Sequence, residues 1–104
     1  MKRSMQLLPQ VSFCVMVALS LRPRHGYEIK QQVDEDTASR VKLSPGSLYG
    51  TIKQLLDDGY IEEIPGEDKR RRNYRLTRKG WLRLENETQY FARLLQLAKQ
   101  RKVY

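Results

Sequence analysis

The sequence predicts a mainly α-helical domain that carries one small β-hairpin and ends in a long helix. Apolar residues recur at helical spacing in four segments, and a single stretch, residues 60–77, alternates apolar and polar side chains around a charged turn. A chain of 104 residues is long enough to build one hydrophobic core. We therefore expect three helices, the hairpin and a fourth helix around that core.

The first two helices are separated by the sequence RPRHG, which breaks the helical pattern. Residues 9–21 are apolar nearly all round, which is typical of a central helix that its neighbours cover on several sides. Residues 26–36 place Tyr27, Ile29 and Val33 at helical spacing, with acidic and polar residues on the outer face. They predict a shorter second helix, which His25 is expected to help open.

The third helix has a recognisable start, a recognisable end and two different faces. Ser44 has the signature of an N-cap, Pro45 suits the first helical position, and Gly59 suits the C-terminal end. Steps of 100° per residue place one stripe of apolar side chains toward the core, namely Leu48, Ile52, Leu55 and Leu56. The opposite side carries Gly46, Ser47, Gly50, Lys53 and Gln54, with Tyr49 on its flank.

This second face of the third helix indicates a contact surface. Each exposed glycine in a helix costs about 1 kcal/mol relative to alanine, so we expect another surface to approach closely there. The helix start also offers free backbone N–H groups and the positive end of the helix dipole, which suit a phosphate. The alternative is that Ser-Pro-Gly is only a good helix start.

The excess positive charge lies in one segment. The net charge is +8, and eight of the 20 basic residues fall between residues 69 and 83, where no acidic residue occurs. The 12 remaining basic residues are balanced by the 12 acidic ones. This concentration predicts a polyanionic partner, with DNA, RNA and anionic membrane as candidates, whereas a solvated charge run is the simpler alternative.

The order of the elements is that of a winged helix-turn-helix. Residues 60–64 and 72–77 are predicted as the two strands of the hairpin, with Tyr74 and Leu76 on one face, and residues 65–71 as its basic tip. In such a fold the third helix enters the major groove of DNA, and the hairpin, or wing, meets the adjacent backbone or minor groove. The wing and the bare face of the third helix would then share one surface.

The last helix is predicted to join two copies of the chain. Thr77 caps a helix that could run to about residue 102. Side chains at spacings of three and four form a heptad-like seam, namely Trp81, Leu84, Thr88, Phe91, Leu95 and Ala98. A second apolar set consists of Tyr90, Leu94 and Leu97. One helix cannot bury both sets against its own small domain, so we expect a homodimer, with residues 1–76 as the DNA-binding domain and residues 77–104 as the dimerisation helix.

The composition argues against an enzyme and against a membrane protein. The single histidine, His25, has no paired nucleophile or ligand set, and no metal-ligand spacing or glycine-rich phosphate loop occurs, so no metal or cofactor is expected. The lone cysteine, Cys14, cannot form an internal disulfide, which fits the reducing cytoplasm. The apolar run of residues 13–19 is far shorter than the ~20 residues that span a bilayer.

Three sequence blocks resemble the PadR family of bacterial transcriptional regulators. They are HGYEI at residues 25–29, LSPGSLYGTIKQLLDDGYIEE at residues 43–63 and NYRLTRKG at residues 73–80, in the family's order and spacing. The resemblance covers roughly residues 7–80 and departs at Asn73, where many relatives carry an aromatic residue. It implies a cytoplasmic, homodimeric winged-helix repressor of palindromic operators. Some members of the family release DNA when a small aromatic molecule binds.

The resemblance also implies which residues face DNA. The implied positions are Tyr27, Ser44, Pro45, Gly46, Ser47 and Tyr49, together with Lys69, Arg70, Arg71 and Arg72 of the wing. The helical pattern adds Lys53, whose charge lies further along the groove. Tyr27 could instead plug the core. Four later basic residues reach beyond the tip, are interpreted as solvated and are left out of the site, namely Arg75, Arg78, Lys79 and Arg83.

Two questions remain open at the level of the sequence. Trp81, Tyr90 and Phe91 could hold a flat aromatic effector between subunits, as in some short members of the family, or they could form the dimer core. A winged helix could also bind RNA or a protein partner. Against these alternatives, the wing tip has no aromatic stacking platform for RNA, and four consecutive basic residues would be of little use to a protein ligand.

Overall fold

The computed structural model describes residues 6–66 and 71–104. Within these residues the chain forms helices and a small antiparallel sheet, in the order α1 (Gln10–Leu19), β1 (Arg24–His25), α2 (Gly26–Asp36), α3 (Pro45–Asp57), β2 (Ile61–Pro65), β3 (Arg72–Leu76) and α4 (Arg78–Gln100). The predicted mainly helical winged fold is therefore confirmed. The helix boundaries differ from the predicted ones by one or two residues, within the normal fraying of helix ends.

The central position predicted for α1 is confirmed. This helix packs against α2, α3, α4 and β3, and its side chains Val15, Met16 and Ala18 are completely buried. An apolar surface on all sides is what such a position requires, because a helix covered by several neighbours has no face left for water. The core continues through Ile29, Val33 and the leucines of α3.

The sheet contains a strand that the sequence did not reveal. β2 and β3 pair as the predicted hairpin, with Glu63 opposite Tyr74, and β1 pairs with the other edge of β3, with Arg24 opposite Tyr74. The strand order is therefore β1-β3-β2. The side chain of Arg24 is buried, and its Nε donates a hydrogen bond to the Ala18 carbonyl oxygen at 3.1 Å. The segment RPRHG is thus a break between helices and also a sheet edge.

Local capping explains where three of the helices begin. The side chains of Ser44 and Thr77 accept hydrogen bonds from the backbone N–H of Ser47 and Gly80, respectively. His25 caps α2 in a reciprocal arrangement with Glu28, so its expected role in opening this helix is confirmed. At the C-terminal end of α3, Gly59 has φ +78°, a conformation that favours glycine.

A buried ion pair attaches the N-terminal segment to α4. Glu87 is almost fully buried, accepts a hydrogen bond from Arg83 Nε at 2.6 Å, and accepts from the Leu8 backbone N–H at 3.1 Å. Arg83 also donates to the Tyr60 hydroxyl at 2.7 Å and to the Gln6 carbonyl. The interpretation of Arg83 as a solvated charge was therefore wrong. Its side chain is only 11% exposed, because it joins α4 to the residues before α1 and β2.

Arg75 pairs with Glu62 at 2.8 Å, and Lys79 donates to the Asp58 carbonyl at 2.8 Å, both on the surface. In the part of the chain that the structure describes, no helix combines the length and the apolar character needed to cross a membrane.

Candidate nucleic-acid interface

The face of α3 that lies opposite the core is open to solvent. Leu48, Ile52 and Leu55 are buried, and Leu56 is half-buried at the edge of the core. The other side presents Gly46, Ser47, Gly50 and Lys53, all exposed. A Cβ atom placed on Gly46 or Gly50 would meet nothing within 4 Å. Packing within the chain therefore does not require either glycine, and the helix can approach another surface closely along this side.

The first turn of α3 combines a cap with exposed polar groups. The Ser44 Oγ accepts from the Ser47 backbone N–H at 3.1 Å, so the N-cap interpretation of Ser44 is correct. A hydroxyl that accepts in this way still has its hydrogen to donate. Pro45 occupies the first helical position and is exposed, as are its neighbours. This turn can offer a backbone N–H and two hydroxyl groups to an external acceptor.

Two tyrosines stand on either side of this turn. Tyr27, near the start of α2, is 60% exposed, and Tyr49 of α3 is 55% exposed. The alternative in which Tyr27 plugs the core is therefore wrong. The phenol of Tyr49 lies against Gly26, close enough that a Cβ there would be 2.8 Å from the Tyr49 hydroxyl. Both rings are accessible from outside the protein, and the hydroxyl of Tyr49 lies beside the start of α2.

A single cleft of about 460 Å³ joins the start of α2, α3 and the base of the wing. It is lined by His25, Gly26, Tyr27, Tyr49, Arg71, Arg72 and Tyr74. Arg71 and Arg72 of the wing thus lie beside Tyr49 of α3. Two further predicted site residues, Lys69 and Arg70, lie outside the described residues.

His25 connects the wing to α2, a role that the sequence did not indicate. Its Nε2 is 2.9 Å from Arg71 Nη1, and its Nδ1 is 3.4 Å from the backbone N–H donor of Glu28. A neutral imidazole has one acceptor nitrogen, so it can satisfy only one of these two donors at a time. The contact to Arg71 is therefore one that a phosphate can replace.

The other basic residues at the interface also have partners in the free chain. Arg72 Nε lies 3.5 Å from a Glu63 carboxylate oxygen, and Lys53 Nζ lies 3.1 Å from a carboxylate oxygen of Asp57. The two cations are more than 70% exposed, so each pair is weak and open to exchange. A phosphate that binds Arg72 or Lys53 must compete with a carboxylate of the same chain.

Two titratable groups next to the cleft have shifted pKa values. Burial and the nearby Glu63 carboxylate raise the pKa of Tyr74 above its ordinary value. At the start of α2, burial alone would raise the pKa of Glu28, but hydrogen bonds from Arg22 and from the His25 backbone N–H lower it. Glu28 therefore stays ionised and holds the capping arrangement of α2 together.

The C-terminal helix exposes large apolar side chains on more than one side, and Trp81, Phe91 and Leu95 form a row along one of them. Trp81, Leu82, Tyr90, Phe91, Leu94 and Leu95 are all exposed, and Thr88 and Ala98 accompany them as exposed and half-buried residues. The ring of Phe91 packs edge-on against Phe13 of α1 at a centroid distance of 5.1 Å. Leu84 departs from the prediction. It is only 6% exposed and packs in the core of its own chain, so we remove it from the predicted dimer seam.

The comparison with known proteins agrees with this architecture. Residues 15–86 match the Transcriptional regulator PadR-like family. A search of the curated proteins finds no significant match.

Several solved structures share the fold. A PadR family transcription regulator from hypervirulent Clostridium difficile has a TM-score of 0.77 at 24% identity, over 88% of this chain and 97% of that chain. A PadR-like transcriptional regulator from Bacillus cereus has a TM-score of 0.74 at 22% identity, over 86% and 88%. A PadR-like transcription factor from Bacteroides fragilis has a TM-score of 0.73 at 24% identity, over 86% and 87%. Because the family match spans more than half of its residues, this chain belongs to the PadR-like family of transcriptional regulators, which bind DNA and are not enzymes.

Proposed function

We propose that this chain acts in the cytoplasm as a homodimeric repressor that binds a palindromic operator in double-stranded DNA. The observation that carries the proposal is the cleft in which the start of α2, the exposed face of α3 and the base of the wing come together. When α3 enters the major groove of a duplex, the same duplex can touch the wing.

The proposed roles follow from the chemistry of each side chain. Ser47 and Tyr49 meet base edges in the groove, and Gly46 allows the backbone to approach closely. Ser44, Pro45, Tyr27 and Lys53 border the phosphates on either side. The wing residues Lys69, Arg70, Arg71 and Arg72 neutralise backbone charge and supply affinity more than sequence choice.

The dimer is proposed from the apolar row on α4. In this arrangement residues 1–76 contact the DNA and residues 77–104 join the subunits through Trp81, Thr88, Phe91, Leu95 and Ala98. Exposed large apolar side chains in one row are typical of an interface between proteins. The two copies of α3 would read half-sites about one helical turn of DNA apart.

An aromatic effector is the finer part of the proposal. Trp81, Tyr90 and Phe91 are exposed in the single chain, and Tyr90 and Phe91 have a ring-centroid distance of 5.7 Å. These rings either pack into the dimer core or enclose a flat ligand between subunits. Titration with planar aromatic dyes, followed by the fluorescence of Trp81, distinguishes the two. Quenching by at least one dye supports a ligand site, and no quenching by any of a chemically varied set supports the dimer core.

The DNA-binding proposal is tested with fragments selected from genomic DNA. A gel-shift assay at physiological salt compares a selected fragment with its scrambled sequence and with RNA of the same length. We expect tight binding to the selected fragment alone. Equal affinity for RNA, or for the scrambled DNA, would contradict the proposal.

Two sets of variants separate sequence readout from charge. Tyr49→Ala and Ser47→Ala are expected to weaken binding to the selected fragment by about tenfold or more, with little effect on scrambled DNA. Replacement of Arg70, Arg71 and Arg72 by alanine is expected to weaken both. Arg75→Ala is the matched control, because Arg75 is equally basic and exposed but does not line the cleft.

A further inference from the structure

The glycine at the start of α2 is in an unusual environment. A Cβ atom at Gly26 would lie 2.8 Å from the hydroxyl oxygen of Tyr49, 3.2 Å from Cζ and 3.3 Å from Cε1. Real Cβ atoms do not approach other atoms to 2.8 Å. Gly46 and Gly50 face open space by the same measure. Gly26 therefore makes room for one particular side chain, which belongs to the exposed face of α3.

The backbone gives no other reason for a glycine at this position. Gly26 is the first residue of α2, and its φ lies outside the left-handed region, which Gly59 occupies. Alanine would be accepted there and would favour the helix, because glycine loses more backbone freedom on folding. Space for the Tyr49 ring is the remaining requirement that the structure shows.

The position of Tyr49 depends on this contact. Among the described residues no hydrogen bond holds its hydroxyl group, and the ring is half exposed. The hydroxyl end of the ring lies against Gly26 at the junction of α2, α3 and the wing. Without that seat, the flexible side chain would lose its fixed direction before DNA binds.

We propose that Gly26 is a positioning residue for DNA recognition: its missing side chain seats the Tyr49 phenol in the cleft, with the hydroxyl beside the start of α2, and so fixes the ring where DNA would meet it. This inference rests on the proposed DNA-binding function. The atoms that a methyl group at position 26 would meet belong to the end of a flexible side chain rather than to the backbone. Gly26→Ala therefore displaces Tyr49 and leaves the fold intact.

A double-mutant cycle tests the proposal. The affinities of wild type, Gly26→Ala, Tyr49→Phe and the double variant are measured on the selected fragment and on its scrambled form. We expect Gly26→Ala to lose about tenfold in affinity for the selected fragment, with an unchanged melting temperature. Tyr49→Phe removes the oxygen that lies closest to the new methyl group, so the double variant is expected to bind better than Gly26→Ala alone. Strictly multiplicative losses would overturn the proposal.

A control and a second measurement separate this proposal from the one on which it rests. Gly46→Ala combined with Tyr49→Phe should give multiplicative losses, because a Cβ at Gly46 would meet no atom of that ring within 4 Å. A nuclear Overhauser effect between the Gly26 Hα protons and the Tyr49 ring is expected in the free protein and should be weakened by Gly26→Ala. If it is absent in wild type, the seat does not exist. If it is present but no variant affects DNA binding, the proposed function fails instead.

Discussion

At the scale of single residues, two glycines of this chain are expected to have different roles: Gly50 in DNA binding and Gly80 in packing. A Cβ at Gly50 meets nothing, whereas a Cβ at Gly80 would lie 2.0 Å from the Tyr60 backbone oxygen. We expect Gly50→Ala to raise the free energy of unfolding by about 1 kcal/mol, because alanine favours the helix, while it weakens DNA binding. Gly80→Ala is expected to lower the free energy of unfolding by about 3 kcal/mol through overpacking against rigid backbone. Urea unfolding and a gel shift on both variants check this. A Gly50→Ala variant that binds DNA more tightly than wild type would contradict the assignment of α3.

The residues that the sequence located correctly are those whose role is local. Ser44 and Thr77 could be identified as caps because a cap binds a backbone N–H three residues away. Gly26 and Tyr49 are 23 residues apart, and their contact depends on how α2 packs across α3. Spacing along the chain carries no information of that kind, so the requirement for glycine at position 26 became visible only in the structure.

At the scale of elements, the attachment of the N-terminal segment to α4 makes a prediction about stability. Glu87 is buried, pairs with Arg83 and receives the Leu8 N–H, so its removal takes the counter-charge from a largely buried cation and the acceptor from a partly buried N–H. We expect Glu87→Ala to lower the free energy of unfolding by about 3–5 kcal/mol. Glu62→Ala breaks the exposed pair with Arg75 and is expected to change the free energy of unfolding by less than about 1 kcal/mol. Denaturant titrations followed by circular dichroism measure both. Similar losses in the two variants would show that burial does not set the strength of the Arg83–Glu87 pair.

Elements were predictable where their periodicity is long enough to recognise. The thirteen residues of α3 show a full apolar stripe, and β3 shows alternation through Tyr74 and Leu76. The two residues of β1 are too few to alternate, and only their pairing with β3 makes them a strand. The burial of Arg83 was not predictable from the sequence either, because Arg83 lies among basic neighbours that are exposed. Its burial follows from Glu87 and Tyr60, which come to it from one turn along α4 and from the start of β2.

At the scale of the whole molecule, we expect the charged wing to set how DNA binding responds to salt. Each cation that neutralises a phosphate releases a counterion, which lowers the slope of log K against log salt by about 0.9. Arg71 has no carboxylate partner among the described residues, and its Nη1 contacts His25 Nε2 at 2.9 Å. We therefore expect Arg71→Gln to reduce the magnitude of the slope of log K against log salt by about 0.9. Arg72→Gln should have a smaller effect, since Glu63 competes for Arg72 in the free chain.

The control for this measurement is Arg75→Gln, which removes the same charge away from the cleft. Fluorescence anisotropy with labelled DNA over a series of salt concentrations gives all four slopes. An equal change for Arg71 and Arg75 would mean that net charge, rather than the position of the wing, governs binding.

The order of the elements predicted the overall shape, but the division of α4 between core and surface was only partly predictable. Leu84 and Leu95 belong to the same apolar seam of the sequence. In the structure Leu84 packs in the core, while Leu95 is exposed. The reason is length: α4 extends for 23 residues, and the globular part of the chain is too small to cover its C-terminal half. That half is the part expected to meet the second subunit.

Leu95→Glu tests this arrangement, because a carboxylate placed inside an apolar dimer interface would be desolvated without a partner. We expect the variant to sediment as a monomer in analytical ultracentrifugation at concentrations where wild type is a dimer, with an unchanged circular dichroism spectrum. Gln96→Glu is the matched control, since it adds the same charge one residue further along the exposed surface of α4 and should leave the dimer intact. The monomeric variant should also lose affinity for a palindromic fragment far more than for an isolated half-site. The reason is that a monomer carries one α3, whereas the dimer links two. A Leu95→Glu variant that stays dimeric would show that α4 is not the surface through which the subunits meet.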